Sequence, residues 1–207
     1  MRIWAFPSVY PIDRPGRKWY GIFAHRQYKG LISNGAELQV IQPVYWAPPL
    51  PFSHLDAKWK LYRNLNYPNF RRYDGIDVHH PRIQNYKPSR FFKPLNERVN
   101  DCIIGFFRKN NIILDPKRDI FLSQWIPEAG FAQRAAHILG IKSAVMVIGD
   151  DVLVEPHKKK DAMDNFIQVW RDADIRLTVA DYLGKEANSL TGEALSYEVI
   201  RLSLIHI

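Results

Sequence analysis

Cysteine is nearly absent from this 207-residue chain: Cys102 stands alone. No intrachain disulfide can form, and no cysteine-based metal site can be built. A reducing, cytoplasmic compartment is the matching expectation. No apolar run approaches the roughly 18 residues of a membrane span. The opening MRIWAFPSVYP has too short an apolar segment for a secretory signal. The first loop, SVYPIDRPGRKWYGIFAHRQ, has no G-x-G-x-x-G fingerprint, and no G-x-x-x-x-G-K-[ST] loop occurs anywhere. Dinucleotide-dependent dehydrogenases and P-loop NTPases lose support accordingly. The missing G-x-S-x-G elbow does the same for an esterase. The histidines at 25, 54, 79, 80, 137, 157 and 206 show no HExxH or paired-helix spacing, so no metal site is expected. Zinc-finger spacing, RNP aromatics and a basic zipper are all missing, which argues against nucleic acid as a partner.

What the chain does have is 46% hydrophobic and 13% aromatic residues, enough for one domain around a single large core. Its formal charge of +8 is unevenly spread. Between positions 54 and 98, ten lysines and arginines face four acids, a net of +6. Such a segment is either a solvated basic face or a surface for an anionic partner, a phosphorylated substrate or an acidic lipid. Peripheral contact with an anionic membrane through 54–98 is the sharper expectation.

Three junctions share one grammar: LISNGAELQVI, AHILGIKSAVMVI and NSLTGEALSYEVI. In each, a helix-like stretch ends at a glycine (Gly35, Gly140, Gly192) and an apolar strand follows. Glycine suits the left-handed position that closes a helix because it has no Cβ to clash there. Repeated helix–Gly–strand units predict a parallel α/β sheet, with strands at 3–9, 38–42, 76–80, 120–123, 144–148, 175–179 and 197–200. Their nearly continuous apolar runs suit a sheet covered on both faces. Phe92, Leu95, Val99, Cys102, Ile103 and Phe106 fall at helical spacing, as do Ala132, Ala135, Ala136 and Leu139, and Met163, Phe166, Ile167 and Trp170. The stretch from 44 to 75 is rich in proline and aromatics, with one short helix expected at 56–65. An insertion of that length after a strand is more often functional than connective. The last six residues, LSLIHI, can be encoded by a transposon mosaic end used in sequencing libraries. The expected division is therefore a native domain over 1–201 and an adapter-derived tail over 202–207, which makes the chain a fragment.

In an open parallel sheet, ligands bind beyond the carboxyl ends of the strands. Those ends carry Tyr10, Pro43–Trp46 (43–46), His80–Arg82 (80–82), Gln124, Trp125, Gly149, Asp151 and Asp181. Polar and aromatic groups of this kind suit a hydroxyl-rich ligand through hydrogen bonds and ring stacking. In VMVIGDDV, Asp150 and Asp151 could hold a divalent ion or shape a turn or helix cap, and no third ligand is evident.

Taken in order, these stretches resemble the amino-terminal domain of glycosyltransferase family 4, whose members have the two-domain GT-B fold. SVYP followed by GIFAHRQYKGLISNGAELQVIQP is similar to the family's first strand, loop, helix and second strand. YDGIDVHHPR, DIFLSQWIPEAGFAQRAAHILGIKSAVMVIGDDV and WRDADIRLTVADYLGKEANSLTG resemble its later passages, so the match runs from 1 to about 192. The resemblance implies a doubly wound Rossmann-like domain on the acceptor side of an enzyme moving sugar from a nucleotide-sugar donor to a glycan or lipid-linked acceptor. It further implies retention at the anomeric carbon and no metal or resident cofactor, the nucleotide-sugar being co-substrate. The carboxyl-terminal domain that supplies donor contacts is missing, so the fragment alone should not catalyse transfer. On the same basis Tyr10, Gly21, Gln124, Trp125, Gly149 and Asp151 are the expected substrate-binding residues, with Asp151 facing the cleft and Asp150 in a turn or cap. The chain departs from the family where Ile148 replaces a histidine, where Ser123, Gln124 and Trp125 replace a histidine-rich strand end, and where Gly21 alone represents a glycine pair. A non-catalytic glycan- or nucleotide-binding module and a GT-B nucleotide-sugar epimerase are the alternatives.

Overall fold

The computed structural model describes residues 1–11, 21–46, 68–84 and 95–200. The helix expected at 56–65, most of the basic segment and the tail at 202–207 lie outside these residues. In chain order, β1 (Arg2–Phe6) leads to α1 (Ile22–Ser33), β2 (Glu37–Ile41), β3 (Val44–Trp46), β4 (Phe70–Tyr73), β5 (Ile76–His79) and β6 (Arg82–Gln84). The second half contains α2 (Leu95–Lys109), β7 (Asp119–Gln124), α3 (Ile126–Ile138) and β8 (Lys142–Val147). It continues through α4 (Asp150–Leu153), α5 (Glu155–Lys158), α6 (Lys160–Asp172), β9 (Ile175–Thr178), α7 (Asp181–Thr191) and β10 (Glu198–Val199).

The main sheet has eight strands in the order β10-β9-β8-β7-β1-β2-β5-β4, and β3 pairs with β6 apart from it. Every main-sheet pair is parallel except β4 with β5. Alternation along β1 sorts its side chains between two cores, as the two-residue repeat of a strand requires. Ile3 and Ala5 pack with Leu38, Val40 and Tyr28 of α1. Trp4 and Phe6 pack on the opposite face with Ile103 and Phe107 of α2 and Ala135 of α3. The small alanines let α3 lie close to the sheet, and Val145 and Val147 extend this face to Phe166 and Trp170 of α6. Helices on both faces of a largely parallel sheet make a doubly wound, Rossmann-like α/β fold: the glycine junctions predicted the parallel sheet, and the family resemblance implied the Rossmann-like form. Gly35, Gly140 and Gly192 have φ of 86°, 70° and 69°, the left-handed closure expected of them.

Three differences from the sequence expectation have simple causes. The first strand stops at Phe6 rather than Val9, because Pro7 has no N–H to give the ladder. The antiparallel β4, FRRY, and the short β6, RIQ, carry no apolar run and were missed. The last strand is two exposed residues, Glu198 and Val199, held to β9.

Candidate functional site

Chain order reverses between β1 and β7: β2 lies on one side of β1, and β7 to β10 lie on the other. The carboxyl ends of those two strands therefore open the crevice where doubly wound sheets bind ligands. The residues that follow β1 directly (7–11) and the β7–α3 turn border it.

The start of α1 is fixed by Gly21, with φ 78°. A Cβ there would sit 2.8 Å from the Tyr10 Cα and 2.8 Å from the Val9 carbonyl oxygen. Only glycine permits this approach of helix to loop. The Tyr10 ring is fully buried, stacked on Tyr28 with centroids 5.8 Å apart. Its hydroxyl lies 2.8 Å from His25 Nδ1, and His25 Nε2 lies 3.0 Å from Asp74 Oδ2. A ring protonated on Nε2 alone serves both partners, donating to the carboxylate and accepting from the phenol. His25 and Lys29 hold the exposed Asp74 below the usual carboxylate range. Burial pushes the Tyr10 phenol well above its ordinary value, with Arg71 opposing. This Asp–His–Tyr chain has the order of a proton relay, but its phenol has no exposed surface for a substrate to reach.

The end of β7 is held from α1. Tyr28 donates to Gln124 Oε1 at 3.2 Å, Gln124 Nε2 donates to Gln27 Oε1, and Gln27 Nε2 approaches Met146 Sδ at 3.0 Å. Gln124 is buried by this network. The next residue, Trp125, takes φ 74° and ψ 103°, a left-handed conformation rare for a bulky side chain. Its carbonyl still accepts the first helical bond, from Ala129 N at 3.0 Å, and its amide donates to Met146 O at 3.3 Å. Strain of this kind costs about 1–3 kcal/mol and persists where surrounding structure enforces it. Here the enforcing elements are β8 and the first turn of α3, and the residue, next after the carboxyl end of β7, stays partly exposed.

At the end of β8, Gly149 turns the chain with φ 153° and ψ −94°, and α4 begins at Asp150. Asp150, expected in a turn or cap, is exposed at the first position of this helix, with Gly149 as the capping residue. Asp151 does not face the crevice: it is fully buried, and its Oδ1 accepts from Ile148 N at 3.0 Å and Gly149 N at 2.8 Å. Its Oδ2 is buried and has no hydrogen-bond partner among the described residues. Burial raises its pKa, opposed by the Gly149, Ile148 and Ile126 amides. Asp151 thus locks the turn from beneath, because the backbone path after Gly149 directs the carboxylate inward.

Of the six expected contacts, the structure gathers Trp125, Gly149 and Gly21 at partly exposed positions around the carboxyl edge, and turns Tyr10, Gln124 and Asp151 inward as supports. Gln27, half-exposed on α1 beside Gln124, was not anticipated. Its only sequence signal is its position one turn into the helix after the first loop. Ile148 remains 39% exposed just past the end of β8, an aliphatic group at the position where the family resemblance expected histidine. Among the described residues, no three His, Cys, Asp or Glu side chains converge as metal ligands do.

No family model matches the chain, and no curated protein matches it in sequence. Two solved structures of sucrose-phosphate synthase from Thermosynechococcus elongatus are similar to it. One aligns over 98% of this chain and 90% of its own, with TM-score 0.59 and 9% identity. The other aligns over 97% of this chain and 48% of its own, with TM-score 0.61 and 11% identity, so this chain spans about half its length. The likeness is one of fold: the chain has the form of a Rossmann-like half of the GT-B architecture.

Proposed function

We propose that this chain is the acceptor-side half of a GT-B glycosyltransferase that moves a sugar from a nucleotide-sugar donor to a glycan or lipid-linked acceptor. The observation that carries the proposal is the fold likeness to sucrose-phosphate synthase across 97–98% of the chain. The strained, half-exposed Trp125 at the β1–β7 reversal supports it, since an indole face at that point suits the apolar face of a sugar ring. In this proposal donor contacts come from a second Rossmann-like half, the nucleotide-sugar is a co-substrate, no resident cofactor or metal takes part, and transfer proceeds with retention. The family assignment proposed is glycosyltransferase family 4, in the cytoplasm. Among the described residues no helix is long and apolar enough to cross a membrane, and contact with anionic lipid through 54–98 would be peripheral.

Two measurements test the proposal. Saturation-transfer NMR with oligosaccharide acceptors should show binding that Trp125→Ala abolishes without loss of the folded spectrum; unaltered binding would place the acceptor elsewhere. Co-sedimentation with anionic and neutral vesicles should show salt-sensitive capture by the former alone, and equal, negligible capture would remove the membrane contact. A second reading, a glycan-binding module without catalysis, is favoured by the aliphatic Ile148 and the inward Asp151, which leave the end of β8 without an exposed acid, base or imidazole except Asp150. Transfer by the complete protein, assayed with a panel of nucleotide-sugars, separates the two.

A further inference from the structure

At the amino edge of the sheet, three elements bring one side chain each to a common point. His137 stands in the last turn of α3, Ser143 at the second position of β8, and Asp174 just ahead of β9. His137 Nε2 lies 3.3 Å from Asp174 Oδ2 and 3.2 Å from Ser143 Oγ, and Oγ lies 3.0 Å from the same carboxylate oxygen. The Ser143 amide donates to Oδ2 at 2.8 Å and the Asp174 amide approaches Oγ at 3.4 Å, which fixes the two strand starts against each other. Ser143 is buried, whereas the His137 and Asp174 side chains are 42% and 41% exposed. The neighbouring Arg176 donates to the Trp170 carbonyl at 2.6 Å and to the Arg171 carbonyl.

Hydrogen bonding alone does not account for this triangle. Burial would raise the Asp174 pKa, but Ser143 and His137 outweigh it and hold the carboxyl below its usual range, so it brings no proton. The hydroxyl has one proton and Nε2 at most one, so two protons serve three sides. Both sides that meet at Nε2 also exceed the roughly 2.9–3.0 Å usual for N–H···O. A transition-metal ion bonded at about 2.0–2.1 Å spaces adjacent ligands about 2.9 Å apart in octahedral geometry and about 3.3 Å apart in tetrahedral geometry. All three sides fall within that span. We infer that His137 Nε2, Asp174 Oδ2 and Ser143 Oγ form one face of a site for a divalent transition metal of the zinc class, with water completing the shell. Imidazole selects zinc over magnesium or calcium, which prefer oxygen throughout. Two ligands are of the usual kind and the third is a neutral hydroxyl, which makes the site weaker than a structural zinc centre. The ion ties the end of α3 to the starts of β8 and β9. It stabilises the folded chain and takes no part in chemistry at the opposite edge, so it does not depend on sugar transfer.

The test is zinc chloride titrated into the full chain by isothermal titration calorimetry, with thermal unfolding as a second readout. Zinc should bind the wild-type protein saturably and raise its Tm, as any ligand of the folded state does. His137→Gln removes the imidazole at an exposed position. It should weaken zinc by about tenfold or more and cancel the rise in Tm, with the amide NMR spectrum otherwise unchanged. Ser143→Ala, which removes only the hydroxyl oxygen, should weaken zinc to a smaller extent. Magnesium chloride should neither bind nor raise the Tm, and equal binding of magnesium would overturn the inference. Zinc binding that survives His137→Gln would assign the ion to another histidine and overturn it as well. So would a Ser143→Ala affinity equal to wild type, or a wild-type chain that zinc fails to saturate by about 1 mM.

Discussion

Two buried aspartates on neighbouring parts of the sheet show how differently its two edges are built. Asp119 opens β7 at the amino edge, and Asp151 follows β8 beyond the carboxyl edge. Both are fully buried. Asp119 accepts from Arg2 Nε at 2.5 Å and a second Arg2 nitrogen at 2.7 Å, from Trp4 Nε1 at 3.0 Å and from the Asp115 amide at 2.6 Å. Burial alone would raise its pKa, but Arg2 and these donors outweigh it and hold the carboxyl below its usual range. Asp151 Oδ1 accepts from the Ile148 and Gly149 amides, its Oδ2 has no hydrogen-bond partner among the described residues, and burial prevails over the surrounding amides. One edge is satisfied and serves stability. The other keeps a left-handed tryptophan and, among the described residues, a carboxylate oxygen and a Gln42 oxygen without partners, costs that accumulate where a protein has other uses for its geometry.

Breaking the satisfied edge should have the largest effect. Asp119→Ala strands the Arg2 guanidinium, the Trp4 indole N–H and the Asp115 amide together. Loss of one partner from a buried, charge-assisted set costs about 3–5 kcal/mol, to be read from urea unfolding. The pH dependence should follow its sign. With a folded pKa below the unfolded value, Asp119 contributes stability above the ordinary carboxylate range and loses it as pH falls through the folded pKa.

At the opposite edge the same operation should cost less. Asp151→Ala leaves the Ile148 and Gly149 amides unsatisfied but removes a carboxylate that burial disfavours, for a net loss of about 2 kcal/mol. It perturbs the turn itself, so it cannot serve as a site mutation that spares the fold. Asp151→Asn keeps an oxygen for both amides and should lie near wild type at neutral pH. The raised folded pKa means that the wild-type contribution is present at low pH and declines as pH rises through it. The asparagine variant should lose that slope, and a persisting slope would assign it to another group.

His80, just past the carboxyl end of β5, offers a further test of the same logic. It is buried, its Nε2 accepts from Arg71 Nε at 3.1 Å, and burial with Arg71 beside it lowers its pKa to about 4. Between the unfolded histidine value and pH 4 the unfolded chain binds the extra proton, so acid should destabilise the protein. The effect is on the order of 2 kcal/mol at pH 4. His80→Gln should flatten that part of the pH–stability curve, as followed by thermal unfolding.

This contrast was only partly legible in the sequence. The parallel sheet was readable because buried strands are apolar runs and the helix-closing glycines mark each return. β4 escaped notice because FRRY sits at a sheet edge, where Arg71 turns inward to His80 and Arg72 pairs with Asp77 at 2.9 Å. Asp119 gave no sign of its role, since Arg2 and Trp4 lie 117 and 115 positions away. The carboxyl edge was located correctly as a place, from Gln124–Trp125 (124–125) and Gly149. Which side chains point outward there depends on backbone turns that residue identity does not encode, and so Asp151 and Tyr10 were expected at the crevice and lie beneath it.

Trp125 gives the smallest expected stability change and the sharpest division between the edges. Replacing a left-handed non-glycine residue by glycine relieves conformational strain, while removing a half-buried indole forfeits some apolar burial. The two effects oppose each other, so Trp125→Gly should unfold within about 1 kcal/mol of wild type. Acceptor binding, by contrast, should fall sharply if the indole is held in this conformation to meet a sugar ring. Paired measurement of unfolding and oligosaccharide binding distinguishes the cases. A large loss of stability with binding retained would make Trp125 a packing residue like Trp4 and return the carboxyl edge to the same role as the amino edge.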